Sequence, residues 1–282
     1  MNPQLSPNPI ADLDALFTFP FMVNALEAGT IVAVLASVVG WYMVLRRQSF
    51  AGHTLSVMAF PGAAGAALAG LPTAIGYYAA CGGAALVMRR GRGSIRRGYG
   101  TETATVATVQ VLGLAAGYLF LSLNNAVLGG TETLLFGTFL GVSRGQVLTL
   151  LIVAVAALAL VGAAARPLLL ETIDSEAARA RGLPVGLLDT GFLLVLAAAV
   201  AATSQITGAL LVFALLVAPA AAAQQLTMRP GPGLGLSVLF ALAIVWLGLG
   251  LAYFSIYPVG FYVTSIAFAV FLVARISRAI RT

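Results

Sequence analysis

Apolar runs recur along the whole chain, at residues 17–45, 55–70, 72–88, 103–121, 147–165, 188–204, 206–226, 234–252 and 259–274. About 20 such residues in a helix cross a hydrocarbon core, so the pattern predicts an all-α polytopic membrane protein with about nine transmembrane helices. The stretch 188–226 is long enough for two of them, and it is expected to divide at the polar cluster Thr203-Ser204-Gln205, just ahead of Gly208. Residues 131–142 (TETLLFGTFLGV) form a weaker piece, too short to cross and expected as a re-entrant or interfacial helix. The first 16 residues carry neither a basic n-region nor a short apolar core with a cleavage site, and they read as a polar tail rather than a secretory signal.

Alternating the loops across nine spans puts 14 of the 15 arginines on one side: Arg46, Arg47, Arg89, Arg90, Arg92, Arg96, Arg97, Arg166, Arg179, Arg181, Arg229, Arg275, Arg278 and Arg281. Only Arg144 falls on the other. By the positive-inside rule the N-terminus is outside and the C-terminus inside. Residues 1–16 are then an extracytoplasmic tail, 17–276 a single membrane domain and 277–282 a cytoplasmic tail.

Composition supports this and narrows the function. Of 282 residues, 60% are hydrophobic and 9% charged, with a mean hydropathy of +1.01. A soluble domain carries roughly 25% charged residues, so lipid is the solvent for most of this chain, and no length remains for a separate soluble catalytic domain. All the basic residues are arginines, and they form no long block, so the +6 net charge reads as membrane orientation rather than nucleic-acid binding. The single cysteine, Cys81, forms no disulfide within the chain and reads as a small buried hydrophobe.

Small residues at intervals of four, Gly62-Ala66-Gly70 in the second span and Gly113-Gly117 in the fourth, predict close helix contacts. Pro61 and Pro219 each remove a helical hydrogen bond inside a span, and with Gly208 they are expected kinks, either lining a cavity or adjusting the packing. The inside loop at 171–184 carries its own helix punctuation. Asp174 or Ser175 caps the start, Glu176 suits the positive end of the helix dipole, Arg179 and Arg181 suit the negative end, and Gly182 ahead of Pro184 supplies the stop. A helix of two turns is marginal in water, so its small face, Ala177 and Ala180, needs a partner, either a cytoplasmic protein or its own membrane domain.

Three segments, LRRQSFAGHTLSVMAFPG at 45–62, DSEAARARGL at 174–183 and TGALLVFALLVAPAAAA at 207–223, together resemble the membrane subunits of zinc/manganese ABC importers. The resemblance extends over about residues 20–275 and implies a permease that forms the ion path as a homodimer. It also implies an ATPase dimer docked beneath through a coupling helix at about 172–183 (Asp174, Glu176, Ala177, Ala180, Gly182, Leu183), and a solute-binding protein that delivers the metal from outside. The metal is cargo, and no permanently bound cofactor is expected. Similar proteins carry an acidic residue or His at the position of His53 and a His four residues on; here the second position is Val57, and the chain has no other histidine.

His53 therefore has two readings, as a metal ligand shared with a second copy across a two-fold axis or as a polar residue at the cytoplasmic interface. Glu27, on one face of the first span with Asn24 and Thr30, borders the ion path or plays a structural role. Glu102, with Thr101, Thr105 and Thr108 on its face, is expected to pair with nearby arginines. Tyr253, Tyr257, Phe261 and Tyr262 read as an aromatic belt at the outer interface.

An intramembrane hydrolase lacks its Gly-x-Ser-x-Gly or His-Glu-x-x-His motif here. An ion-coupled secondary carrier suits the span count but has no need of the capped cytoplasmic helix. A permease for a chelated metal is a further alternative. Without a lysine there is no Walker motif, so ATP hydrolysis falls to a separate subunit and the chain itself is not an enzyme.

Overall fold

The computed structural model describes residues 17–92, 99–124, 137 and 139–281. Among them there is no strand. The helices are α1 (Pro20–Leu45), α2 (Ser49–Leu68), α3 (Thr73–Arg92), α4 (Tyr99–Leu123), α5 (Arg144–Ile173), α6 (Ser175–Ala180), α7 (Val185–Leu226), α8 (Pro230–Tyr253) and α9 (Val259–Arg281), with a 3-10 turn at Phe139–Gly141. Starts follow from local chemistry. Pro20 and Pro230 occupy the first turns of α1 and α8, where a missing N–H costs nothing. Ser143 and Gln146 form a reciprocal capping box at α5. The expected tail at 1–16 and most of the expected re-entrant piece at 131–142 lie outside the described residues.

Six helices are long and apolar enough to cross a membrane: Pro20–Leu45, Val106–Leu123, Arg144–Ile173, Val185–Ala209, Pro230–Tyr253 and Val259–Ile280. The other three predicted spans are helical too but differ in composition. α2 is rich in Gly, Ala and Ser and lies among protein rather than lipid, packing on α3, α4 and α7, so it has less need of long apolar side chains. α3 ends in Arg89, Arg90 and Arg92, which lower its hydropathy. Leu211–Leu226 is apolar but short.

α7 is the centre of the fold, touching α1, α2, α3, α5, α8 and α9. Its 42 residues do not run straight. Asp189 near its start accepts from Arg46, and Gln224 near its end donates to the Trp41 carbonyl, so both ends meet the same end of α1. The 35 residues from Asp189 to Gln224 would extend about 50 Å as a straight helix, so the chain doubles back. It does so at Gly208, whose φ of 76° and ψ of 160° are accessible to glycine alone.

The expected break at Thr203–Gln205 is thus a few residues early. Those residues stay helical, and Thr203 and Gln205 satisfy their polar groups within the helix by donating to its carbonyls at Ala199 and Ala201.

The molecule's two ends are distinct. One gathers the α1–α2 turn, the end of α5, both ends of α7, the start of α8 at Gly233 beside Trp41, and the end of α9, where Arg278 donates to Gln225. The other gathers the start of α1, the segment before α5, where the Val142 carbonyl accepts from Asn24, and the α8–α9 connection, where the rings of Phe19 and Tyr253 lie 6.5 Å apart. Gly137, at φ +76°, presses against the backbone of Ile206–Gly208, leaving no room for a Cβ at the fold-back.

Candidate functional site

α6 forms as its sequence predicts. The Asp174 carboxylate accepts from the backbone N–H of Glu176 and Ala177, capping the helix. Gly182, at φ +75°, closes it: the Gly182 N–H donates to Arg179 and the Leu183 N–H to Ala178, satisfying the last carbonyls in a Schellman turn. The buried position differs from the expected pair, Ala177 and Ala180. Ala178 is fully buried against the membrane domain, Ala177 is half-buried, and Glu176, Arg179 and Ala180 are exposed. Ile173 and Leu187, on the segments flanking α6, are also exposed. The helix is fastened by one alanine and presents its other face outward.

Beside α6 is a cluster that hydropathy did not single out. α1 ends in a second Schellman turn, with the Gln48 N–H donating to Met43 and the Arg47 N–H to Val44. Arg47 takes the left-handed place usually held by glycine, at φ 55°, and its side chain is exposed. The turn aims Arg46 inward, where its side chain is only 4% exposed. Its guanidinium donates to Glu171 and Thr172 at the end of α5 and to Asp189 in α7, the last at 2.9 Å. It also stacks 5.2 Å over the Phe192 ring. Gln48 donates to the same Asp189 oxygen at 3.0 Å. In the sequence Arg46 is one of the 14 arginines that obey the orientation rule, and nothing local marks it as buried.

His53 lies in α2, half-buried, its ring 4.8 Å edge-to-face from that of Phe213 in α7, with Nδ1 unpartnered. Val57, one turn on, is buried. Pro61 lacks the N–H that would otherwise satisfy the Val57 carbonyl. Glu27 is exposed, near the opposite end of α1, and its two expected companions are engaged elsewhere: Asn24 with Val142 and Thr30 with Leu26 and Trp246. Because α1 and α2 scarcely pack on one another beyond their shared turn, a single protomer does not bring Glu27 and His53 together. Among the described residues no three His, Cys, Asp or Glu converge as metal ligands.

Helix packing follows the small residues in part. A Cβ on Gly62 would lie 2.3 Å from the Gly76 carbonyl oxygen, so α2 and α3 touch backbone to backbone, with Ala66 beside Gly76. Gly113 and Gly117 of α4 accommodate Met58 and Phe60. Gly70 departs from expectation: it lies past the end of α2 at φ +70°, in another Schellman turn with open space around it, and is a helix stop rather than a packing contact. Pro61 and Pro219 are both buried within continuing helix.

Cys81 is buried and donates to the Leu55 carbonyl. In the α8–α9 region the Tyr253 ring meets that of Phe254, and the Phe261 ring meets those of Tyr257 and Tyr262. The side chains of Thr101, Glu102 and Thr105 lie outside the described residues.

This arrangement matches known transport proteins over nearly its whole length. A manganese transport system membrane protein, MntC of Halalkalibacterium halodurans, is 30% identical over 249 residues, covering 86% of this chain and 81% of that one. The chelated iron transport system membrane protein YfeC of Yersinia pestis is 31% identical over 215 residues, covering 76% and 72%. Among solved structures, PsaBC from Streptococcus pneumoniae, in complex with Fab, superposes with a TM-score of 0.83 at 26% identity, covering 95% of each chain. A second structure, of a metal-chelate type ABC transporter, shares the fold at 15% identity with a TM-score of 0.73. The family described as ABC 3 transport family matches residues 18–278, and the chain, a multi-pass membrane protein, belongs to it.

Proposed function

We propose that the chain is the permease subunit of an ATP-driven importer, in a bacterial plasma membrane, for a divalent transition metal, with manganese or zinc as cargo. Two copies form the ion path, an ATPase dimer docks on the cytoplasmic ends, and an extracytoplasmic binding protein supplies the ion. The observation that carries this is α6: a capped two-turn helix, held by Ala178 and presenting Glu176, Arg179 and Ala180 outward, at the end of the molecule that gathers Arg46, Arg229 and Arg278. A secondary carrier has no use for such an element. The relatives named for manganese and for chelated iron support metal transport, and they leave a chelated metal as the second reading of the cargo.

The finer topology in this reading is nine crossings, with the N-terminus outside and the C-terminus inside. The fold-back of α7 at Gly208 supports it by dividing 42 residues into two helical arms that start and finish at the arginine-bearing end. Each protomer contributes His53 to a weak transfer point near the dimer axis. The half-buried imidazole, the one such ring in the chain, is the donor that supports brief, releasable coordination.

Docking is tested by placing a charged, bulkier side chain on the exposed face. Ala180→Glu should abolish co-purification of the ATPase while the permease keeps its melting temperature, whereas Ala178→Glu, on the buried face, should lower that temperature. Undiminished ATPase binding and uptake in Ala180→Glu would favour the secondary carrier.

A further inference from the structure

Arg46 holds together three parts of the chain that are far apart in sequence. Glu171 precedes the α6 cap Asp174 by three residues, and Asp189 lies one turn into α7, so the two carboxylates bracket α6 on either side. Both are ligated by one guanidinium from the α1–α2 turn, and Gln48, the residue just before α2, reinforces the Asp189 side. One turn further along α2 is His53. An unbroken run of hydrogen bonds and helix thus leads from the two roots of α6 to the residue placed on the ion path.

Side-chain chemistry suits a fixed joint. A guanidinium is planar, presents donors in a rigid fork and stays charged, so it can bind two carboxylates from different helices in one geometry, which an ammonium point charge does not reproduce. Removing such a charge from water is costly, and a buried ion pair is poor evidence of added stability. Its attested use is specifying one arrangement among several, and the arrangement specified here is the position of α6 relative to α1 and α2.

We propose that Arg46 is the positioning residue that couples α6 to the ion path: motion of α6, imposed by its partner, is passed through Glu171 and Asp189 to the 46–48 turn and so to α2. This inference rests on the reading of α6 as the ATPase-docking helix. Glu171 and Asp189 both bind Arg46, with Gln48 as a second partner of Asp189, and the role given to Arg46 is positional.

The test uses the full complex in proteoliposomes, with metal uptake and ATP hydrolysis measured together. In Arg46→Met the ATPase should remain bound and hydrolysis should continue, while metal carried per ATP falls roughly 2- to 30-fold, the range of coupling mutations. Arg46→Lys, which keeps the charge but not the fork, should lose most of the same coupling, and adding Glu171→Gln to Arg46→Met should cause no further loss, since both remove the Arg46–Glu171 interaction. A clamp that merely stabilised the fold would lower melting temperature and complex yield and leave metal per ATP unchanged; that result in Arg46→Met and Arg46→Lys overturns the proposal.

A second readout needs no transport. Spin labels at Ala180→Cys and Phe50→Cys, in lipid-reconstituted permease diluted with unlabelled copies so that each dimer carries one labelled chain, should give one narrow distance distribution, and Arg46→Met should broaden it. An unchanged distribution also overturns the clamp. A wild-type complex without ATP-driven uptake would instead count against the proposed function, with the spin-label result still deciding the clamp.

Discussion

His53 supplies the chain's one imidazole, and the proposed role for it is that of a weak ligand on the ion path. The ring is held edge-on to Phe213, and Nδ1 has no partner within the protomer. A tight site would hold its ion, whereas a path needs sites the ion leaves. In the proposed dimer, His53→Ala should therefore cut metal uptake strongly with assembly intact. Val57→His should do the reverse to affinity: with an i,i+4 pair in each copy, the dimer offers four nitrogens, the tetrahedral set that suits zinc. The purified variant should retain more metal, measured by elemental analysis, and turn over more slowly. Normal uptake in the first variant and no added metal in the second would make His53 an interfacial residue and shift the path to Glu27 or backbone carbonyls.

At the level of helices, the contacts are made by absence of side chain. α2 and α3 meet where Gly62 faces the Gly76 carbonyl, and a methyl group there would collide with backbone, which cannot rotate away. Gly62→Ala should destabilise the folded protein by about 1–3 kcal/mol, as overpacking does. Gly65→Ala meets only the edge of the Phe120 ring, at 3.1 Å, and should cost less. Melting curves in detergent would rank the two, and equal stability in both variants would contradict the contact.

These helices also show how far sequence reading carries. Length and hydropathy are local properties, so the helices, the capped α6 and its Gly182 stop are all legible from the residues that form them. The Gly62-Ala66 stripe is legible too, but its partner Gly76 is not, because an interval of four on one helix does not say which helix faces it. Gly70 has the right interval and the wrong role, because a packing glycine and a stop glycine look alike until the helix end is known. Arg46 is hidden for a related reason: its burial depends on Glu171 and Asp189, more than 120 residues away.

For the whole molecule, the proposed arrangement gives every connection a side. Met228, between α7 and α8, and Ile256, between α8 and α9, are highly exposed and lie at opposite ends. Cys81 is buried, so a cysteine placed at either position should react alone. Met228→Cys should label with an impermeant maleimide only from the cytoplasmic face, and Ile256→Cys only from outside. Labelling of both from one face would remove the orientation and, with it, the cytoplasmic location of α6.

Import driven by a separate ATPase is measured most directly by manganese or zinc accumulation in proteoliposomes that contain the permease, its ATPase and its metal-binding protein. The metal should concentrate on the side that bears the ATPase only when ATP is present there, and uptake should stop when the ATPase is withheld or when Ala180→Glu replaces the wild type. Accumulation driven by an ion gradient in the permease alone, indifferent to ATP and to the state of α6, would contradict it.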